Sequence, residues 1–186
     1  MNAKKNGVTK EEIASIIAHI GFYAGWPKAW GAFRFAKEIW TEPALSEKDK
    51  FQNEILFPIG EPNVKFAPFF IGQSYLAPIS AKAGLFHVTF EPGCRNNWHI
   101  HHALNGGGQL LICTGGKGYY QEWGKEPIEM VPGTVVEIPA NVKHWHGACK
   151  DQWFSHIALE IPGENASNEW LEPVGEEYYQ KLEEKQ

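Results

Sequence analysis

The sequence lacks any run of 18 apolar residues and any cluster of lysine and arginine. A helix that spans a membrane needs about 20 predominantly apolar residues, so none is predicted. The formal net charge of −5 offers no basic surface for nucleic acid or for an anionic membrane. Residues 1–7 also lack the apolar core of a secretory signal. We therefore expect a cytoplasmic protein whose partners are small molecules or other proteins.

Cysteine is scarce, with only Cys94, Cys113 and Cys149 in the chain. An odd number of cysteines without Cys-x-x-Cys spacing argues against a disulfide framework. Each of the three lies in strand-like sequence, where a small buried residue is the common explanation for a cysteine. We assign no chemistry to these thiols.

A helical pattern occupies the beginning of the chain. Thr9-Lys10-Glu11-Glu12 is a capping box, and isoleucines follow it at helical spacing, which predicts a helix over residues 10–23. Pro27 suits the first turn of a second helix that extends to Trp40. Residues 1–45 are therefore predicted to form a helical hairpin, and residues 46–186 a second domain.

The predicted hairpin has apolar side chains on more than one face. They are Ile13, Ile16, Ile20, Trp30 and Phe33. Two helices alone cannot bury all of these side chains. We expect them to be buried against the remainder of the chain or against a second subunit, and we predict a homodimer.

The pattern changes after about residue 41 to short β-branched and aromatic runs separated by glycine and proline. Candidate strands cover residues 69–75, 84–90, 98–102, 109–114, 118–123, 128–130, 134–138, 144–148 and 153–161. Many short strands at this spacing predict a mainly β sandwich or barrel rather than alternating strands and helices. A last, solvated helix is expected over residues 176–184.

The sequence His99-Ile100-His101 lies on one of these candidate strands. Side chains alternate between the two faces of a strand, so His99 and His101 project to the same side and can share one metal ion. His102 projects to the other side and is interpreted as a surface or loop residue. His146 shares the face of His144 if that strand is extended.

Two spaced motifs resemble those of the cupin family. Gly93, His99, His101, Gln109 and Gly116 match the first motif, with a longer spacer and with glutamine where the family usually has glutamate. Gly133, Pro139 and His144 match the second motif, with Asn141 in a glycine position, and asparagine tolerates a left-handed turn. The resemblance implies a double-stranded β-helix, or jelly roll. It also implies that His99, His101, Gln109 and His144 hold a metal ion.

More specifically, the segments 90–93, 98–99, 108–109 and 143–148 resemble the bacterial cupins that include manganese-dependent hydroxynitrile lyases. In those proteins, the histidine that aligns with His156 lies in the pocket and acts as a general base. The spacing of the sequence alone leaves His156 open between that role and a core position. Residues 7–27 are similar to part of a carboxymuconolactone decarboxylase-like segment, but without the Cys-x-x-Cys pair its activity is not transferred.

Three imidazoles and one carboxamide are neutral ligands, so the implied ion keeps its full charge of +2. Such a centre attracts oxygen-bearing substrates, anionic ones included, and lowers the pKa of a bound hydroxyl group. One divalent ion is expected, from among manganese, iron, cobalt, nickel and zinc, with manganese or zinc favoured. Taken with the resemblance to the lyase-like cupins, this centre implies a metal-dependent lyase of the hydroxynitrile or carboxy-lyase type, in which His156 or His146 moves a proton.

Two alternatives stay open at this point. An Fe(II)-dependent oxygenase uses a centre with open positions for oxygen and substrate. A non-catalytic cupin binds a small molecule through its metal without transforming it. Of the remaining residues, His87 is a candidate for the far wall of the pocket. Trp98, Trp145 and Phe154 are interpreted first as core residues.

Overall fold

The computed structural model describes residues 2–40 and 44–184, and these residues form two units, Met1–Ser46 and Glu47–Gln186. The first unit contains the helices α1 (Asn2–Lys5), α2 (Lys10–Ala24) and α3 (Trp26–Trp40). The helix α2 begins at the expected capping box: Thr9 Oγ1 accepts a hydrogen bond from the Glu12 amide, and the Glu12 carboxylate accepts one from the Thr9 amide. Among the described residues, no helix is long and apolar enough to cross a membrane.

Small residues form the contact between α2 and α3. Gly21, Ala29 and Ala36 are buried, whereas the large apolar side chains of the hairpin are mostly exposed. Trp30 has an exposed fraction of 62% and Phe33 of 45% in the single chain. Within its own unit the hairpin therefore leaves these large apolar side chains uncovered. Their predicted burial against a second subunit stays a prediction.

The second unit begins with helix α4 (Glu47–Glu54) and ends with helix α5 (Glu176–Glu184). The strands between them are β1 (Glu61–Pro62), β2 (Phe70–Ile71), β3 (Ser74–Ser80), β4 (Leu85–Phe90), β5 (Arg95–Asn96), β6 (His99–His102), β7 (Gly108–Gly116), β8 (Gly118–Glu122), β9 (Ile128–Met130), β10 (Val135–Pro139), β11 (Lys143–Ala148), β12 (Phe154–Glu160) and β13 (Ser167–Trp170). One sheet has the order β1-β3-β4-β12-β7-β10. The other has the order β13-β6-β11-β5-β2; β8 also pairs with β11, and β9 pairs with β8.

All described strand pairs are antiparallel. Apolar side chains of both sheets meet in one core cluster, which includes Phe90, Leu111, Met130, Ile138 and Phe154. A mainly β jelly roll with additional N-terminal helices is thus confirmed. Its two curled sheets leave room for a cavity at one end of the core.

Several local predictions were wrong. The expected strand over residues 69–75 is two strands of different sheets, because Gly72 has a φ of +84° and turns the chain between them. The last helix is present, but it is not fully solvated. Tyr179 and Leu182 are buried, and Arg95 forms an ion pair of 2.6 Å with Glu176. The helix therefore packs on the jelly roll.

Candidate metal centre

Strand register brings three histidines together. In the antiparallel pair of β6 and β11, His99 lies directly opposite His144, so both side chains point to the same face. His101 follows two residues after His99 and shares that face. One ring nitrogen from each of His99, His101 and His144 lies within 4.8 Å of the others, and all three residues are buried.

The outward nitrogen of each ring faces a hydrogen-bond acceptor. Nδ1 of His99 lies 3.0 Å from the Asn97 carbonyl oxygen, and Nδ1 of His144 lies 2.9 Å from that of Val142. Nδ1 of His101 lies 2.7 Å from the side-chain oxygen of Asn168. An oxygen that can only accept requires a proton on the ring nitrogen, so each Nδ1 carries the hydrogen and each Nε2 presents a lone pair.

Two of these inward nitrogens lack a protein partner among the described residues. Among the described residues, Nε2 of His101 and of His144 are buried without a hydrogen-bond partner. Leaving one such atom unsatisfied costs about 1–3 kcal/mol. A cation removes that cost, and hydrogen bonds from Nδ1 to oxygen are the usual outer support of histidines that ligate a metal. The buried three-histidine cluster is therefore compatible with one divalent metal ion.

The electrostatics of the cluster favour neutral imidazoles. Burial lowers the pKa of His144 to about 4, and burial also lowers the pKa of His99 well below its ordinary value, with the neighbouring imidazoles adding to the effect. Burial likewise lowers the pKa of His101. All three rings are thus neutral near pH 7 and retain the lone pairs that a metal needs.

Gln109 lies beside this cluster on β7. Its side chain is buried and lines the same cavity, and its Oε1 atom has no hydrogen-bond partner among the described residues. The Gln109 side chain is close enough to His101 to oppose the lowering of the His101 pKa by burial. Gly108 allows the strand to begin here, since a Cβ atom at that position would lie 2.2 Å from the Ile138 carbonyl oxygen. Gln109 therefore stays a candidate fourth ligand.

The cluster opens into a cavity of about 610 Å³ between the two sheets. Most of its apolar lining comes from Phe66, Phe70, Leu76, Phe86, Val88, Ala158 and Trp170. Polar groups lie at the histidine side and near Lys65 and Glu160. An apolar chamber with few converging polar groups is typical of a small-molecule site.

His146 and His156 form a second histidine pair in this cavity. His146 is on β11, two residues after His144, and Nε2 of His156 lies 3.2 Å from Nδ1 of His146. Burial lowers the pKa of His156 to about 3, and it lowers the pKa of His146 well below its ordinary value. Two neutral imidazoles within hydrogen-bond distance can pass a proton between them.

Asn96 supports His146 from strand β5. Its Oδ1 atom accepts a hydrogen bond of 2.9 Å from the His146 amide. Its amide nitrogen lies 3.0 Å from Nε2 and 3.4 Å from Nδ1 of the His146 ring. Asn96 could not be recognised as a site residue from the sequence, because β5 comprises only two residues.

Two other site residues on β13 were also missed. In the register of β13 and β6, Trp170 lies opposite His99 and Asn168 lies opposite His101. The ring of Trp170 stacks on that of His99, with centroids 4.7 Å apart. The segment from Ser167 to Trp170 contains no β-branched residue, and its only strand-favouring residue is the terminal tryptophan.

His102 and Asn141 lie where the sequence predicted them, whereas His87 does not. His102 projects away from the cluster and contacts Asn141 and Glu169, and Asn141 has the left-handed φ of 66° expected in the glycine position. His87 does not line the cavity. It lies on the other face of β4, where its ring nitrogens contact the Pro58 carbonyl oxygen and the Thr114 hydroxyl.

Aromatic and cysteine side chains fill the core as expected. Trp98 and Trp145 pack in a cluster with Tyr179, and Phe154 packs in the central core. All three cysteines are buried, and among the described residues none of them forms a disulfide bond. Burial raises the pKa of Cys94 to about 12 and that of Cys113 to about 11, so these two thiols stay protonated.

Fold and site together define a jelly-roll protein with a buried cluster of imidazole ligands at one end of its cavity. Comparisons with known proteins agree. The family described as Cupin domain matches residues 86–155, and the Carboxymuconolactone decarboxylase family matches residues 1–38.

Two relatives of high identity are also cupins or cupin-like proteins. The (R)-mandelonitrile lyase of Granulicella tundricola is 37% identical over 111 residues, which cover 60% of this chain and 82% of that protein. The crystal structure of a cupin-like protein from Thermotoga maritima is 38% identical, with a TM-score of 0.61, and the match covers 70% of this chain and 98% of that one. The chain belongs to the cupin family.

Proposed function

We propose that this protein is a metal-dependent lyase that cleaves small 2-hydroxynitriles reversibly into a carbonyl compound and hydrogen cyanide. One observation carries the proposal: a single cavity contains a cluster of metal-ligand type, a separate neutral histidine pair and an apolar, partly aromatic wall. A relative with 37% identity is a mandelonitrile lyase, which supports this choice among the reactions of metal-dependent cupins.

His99, His101 and His144 would hold the ion through Nε2, and Gln109 would add its Oε1 atom. The proposed metal is manganese or zinc, since both accept nitrogen and oxygen donors together. When bound, the ion supplies Lewis-acid stabilisation for a substrate oxygen. All four donors are neutral, so no ligand charge weakens that effect.

The reaction requires one proton to move and one carbon–carbon bond to break. The hydroxyl group of the substrate loses its proton, a C=O bond forms, and cyanide leaves with the electron pair of the broken bond. We assign the proton transfer to the pair His146 and His156. Burial lowers both pKa values, so both imidazoles are neutral before the reaction and each has a ring nitrogen with a lone pair. That lone pair takes the proton, which is then returned to cyanide.

The cavity wall indicates the substrate class. Phe66, Phe70 and Trp170 present aromatic side chains on the side of the cavity that adjoins His99. An aromatic substrate ring can pack against such side chains. We therefore propose aryl hydroxynitriles such as mandelonitrile as substrates.

Metal-free protein reloaded with manganese or zinc tests this function. We expect the loaded protein to release benzaldehyde from mandelonitrile, measured by absorbance, and the metal-free protein to show only the spontaneous rate. Oxygen uptake by the iron-loaded protein without benzaldehyde release would instead indicate an oxygenase. Thermal stabilisation by mandelonitrile without any product would indicate a binding protein.

We also propose that the protein is a homodimer in which the hairpins of two copies cover each other. Phe22 and Phe35 have exposed fractions of 80% and 70%, and exposed apolar patches of this kind usually mark an interface. We expect light scattering to give twice the chain mass of 21.0 kDa. The double variant Phe22→Ser, Phe35→Ser should shift the protein toward the monomer.

The control for this experiment is Leu56→Ser, because Leu56 has an exposed fraction of 87% but lies in the other unit. This variant should keep the mass of the wild type. A monomeric wild type, or a double variant that stays dimeric, would contradict the proposed interface.

A further inference from the structure

The outward partners of the three clustered histidines differ in kind. His99 and His144 each face a main-chain carbonyl oxygen of a residue two positions earlier, which belongs to the same chain segment. His101 instead faces a side chain, that of Asn168 on β13, at 2.7 Å. The orientation of His101 therefore depends on a residue that can turn its amide group.

Glu160 fixes which way that amide points. The amide nitrogen of Asn168 donates a hydrogen bond of 3.0 Å to Glu160 Oε1. A carboxylate can only accept, so the amide nitrogen must face Glu160 and the amide oxygen must face His101. The amide oxygen in turn requires a proton on His101 Nδ1, which leaves the lone pair on Nε2.

The location of Glu160 in the fold also links it to Asn168 and His101. Glu160 lies on β12 directly opposite Gln109 of β7, and Glu160, Asn168, His101 and Gln109 all line one cavity. A hydrogen bond from Nδ1 to an oxygen is the usual outer support of a histidine that ligates a metal.

We propose that Glu160 is a positioning residue for the metal centre: through Asn168 it holds His101 as the Nδ1–H tautomer, with Nε2 available to the ion. The two residues act through His101 and need not touch the ion or the substrate. This inference rests on the proposed metal centre but not on the lyase reaction.

Two measurements test the chain of contacts. Zinc affinity is measured by competition with a fluorescent chelator, and the tautomer of His101 is measured in the metal-free protein by long-range ¹⁵N–¹H NMR of ¹⁵N-labelled histidine. For Asn168→Leu we expect zinc binding about 10- to 100-fold weaker, the usual loss when an outer partner of a ligand is removed. We also expect loss of the pure Nδ1–H signal. Glu160→Gln should weaken zinc binding and the Nδ1–H signal less, because the side-chain oxygen of a glutamine can still accept the hydrogen bond from the Asn168 amide.

A second variant keeps the test valid if Asn168→Leu folds poorly. Asn168→Asp retains an acceptor toward Nδ1, so it should retain the Nδ1–H tautomer.

The matched control is Glu164→Gln. Glu164 also accepts from an asparagine amide, that of Asn105 at 2.8 Å, but this pair does not adjoin the clustered histidines. The control should match the wild type in both measurements.

Unchanged zinc affinity and an unchanged tautomer in both Asn168→Leu and Glu160→Gln would overturn the inference. A wild type that binds no zinc would instead overturn the proposed metal centre and the lyase with it. Zinc binding and tautomer control without mandelonitrile cleavage would overturn only the lyase and would support the role of Glu160.

Discussion

Replacing His101 with alanine is expected to remove the bound metal and with it the lyase activity. His101 supplies one of three converging ring nitrogens, and its loss leaves two imidazoles and a carboxamide that hold a divalent ion far less tightly. Elemental analysis of protein purified without chelator should fall from about one ion per chain to near zero. Turnover of mandelonitrile should fall to the rate of the metal-free wild type.

The neighbouring histidine provides a matched control for this variant. His102 lies one position further along β6, on the opposite face, where it bonds to Asn141 and Glu169 outside the cluster. His102→Ala should therefore retain metal and turnover. If His101→Ala kept its turnover without metal, the metal-dependent mechanism would be wrong.

Much of this site could be predicted because it depends on strand alternation. His99 and His101 lie two residues apart, as do His144 and His146, and each pair shares a face once its segment is known to be a strand. The same rule correctly placed His102 outside the cluster. The resemblance to cupins then joined the two strands, since neither spacing reveals that His99 lies opposite His144.

Residues on very short strands could not be predicted in this way. Asn168 and Trp170 reach the site because β13 pairs with β6, and that pairing is a long-range event with little local signal in Ser167–Trp170. Asn96 lies on a strand of two residues, which is too short to show any alternation. β5 and β13 are strands because neighbouring strands supply the partners of their backbone hydrogen bonds.

The expectation that His87 lines the cavity was wrong, although the alternation of side chains along β4 already argues against it. Phe86 and Val88 line the cavity, so His87 between them must face the other side of β4. Apolar residues at alternate positions were visible in the sequence and would have excluded His87. His156 is different, because it is fully buried but lines the cavity and lies opposite Val88 in the pairing of β12 with β4.

Replacing His156 with alanine is expected to lower the turnover number roughly 10²- to 10⁴-fold, the usual contribution of a positioned acid or base. Metal content should stay at the wild-type level, because His156 contacts His146 rather than the three-histidine cluster. Steady-state kinetics with mandelonitrile and elemental analysis of the same preparation separate this result from that of His101→Ala. His156→Gln, which keeps most of the side-chain volume, guards against a loss caused by packing alone.

The pH dependence gives a sharper test of this role. Proton acceptance requires the neutral ring, and the pKa of His156 is lowered to about 3, so the neutral form is populated above that pH and lost only as the pH falls through it. The wild-type rate should therefore show no step near pH 6.5, where an ordinary histidine titrates. Added imidazole should partly restore His156→Ala, and this rescue should grow as the pH rises through the ordinary imidazole range. A variant that retains full turnover, or a restored rate that does not depend on the neutral form of imidazole, would show that His156 does not carry the proton.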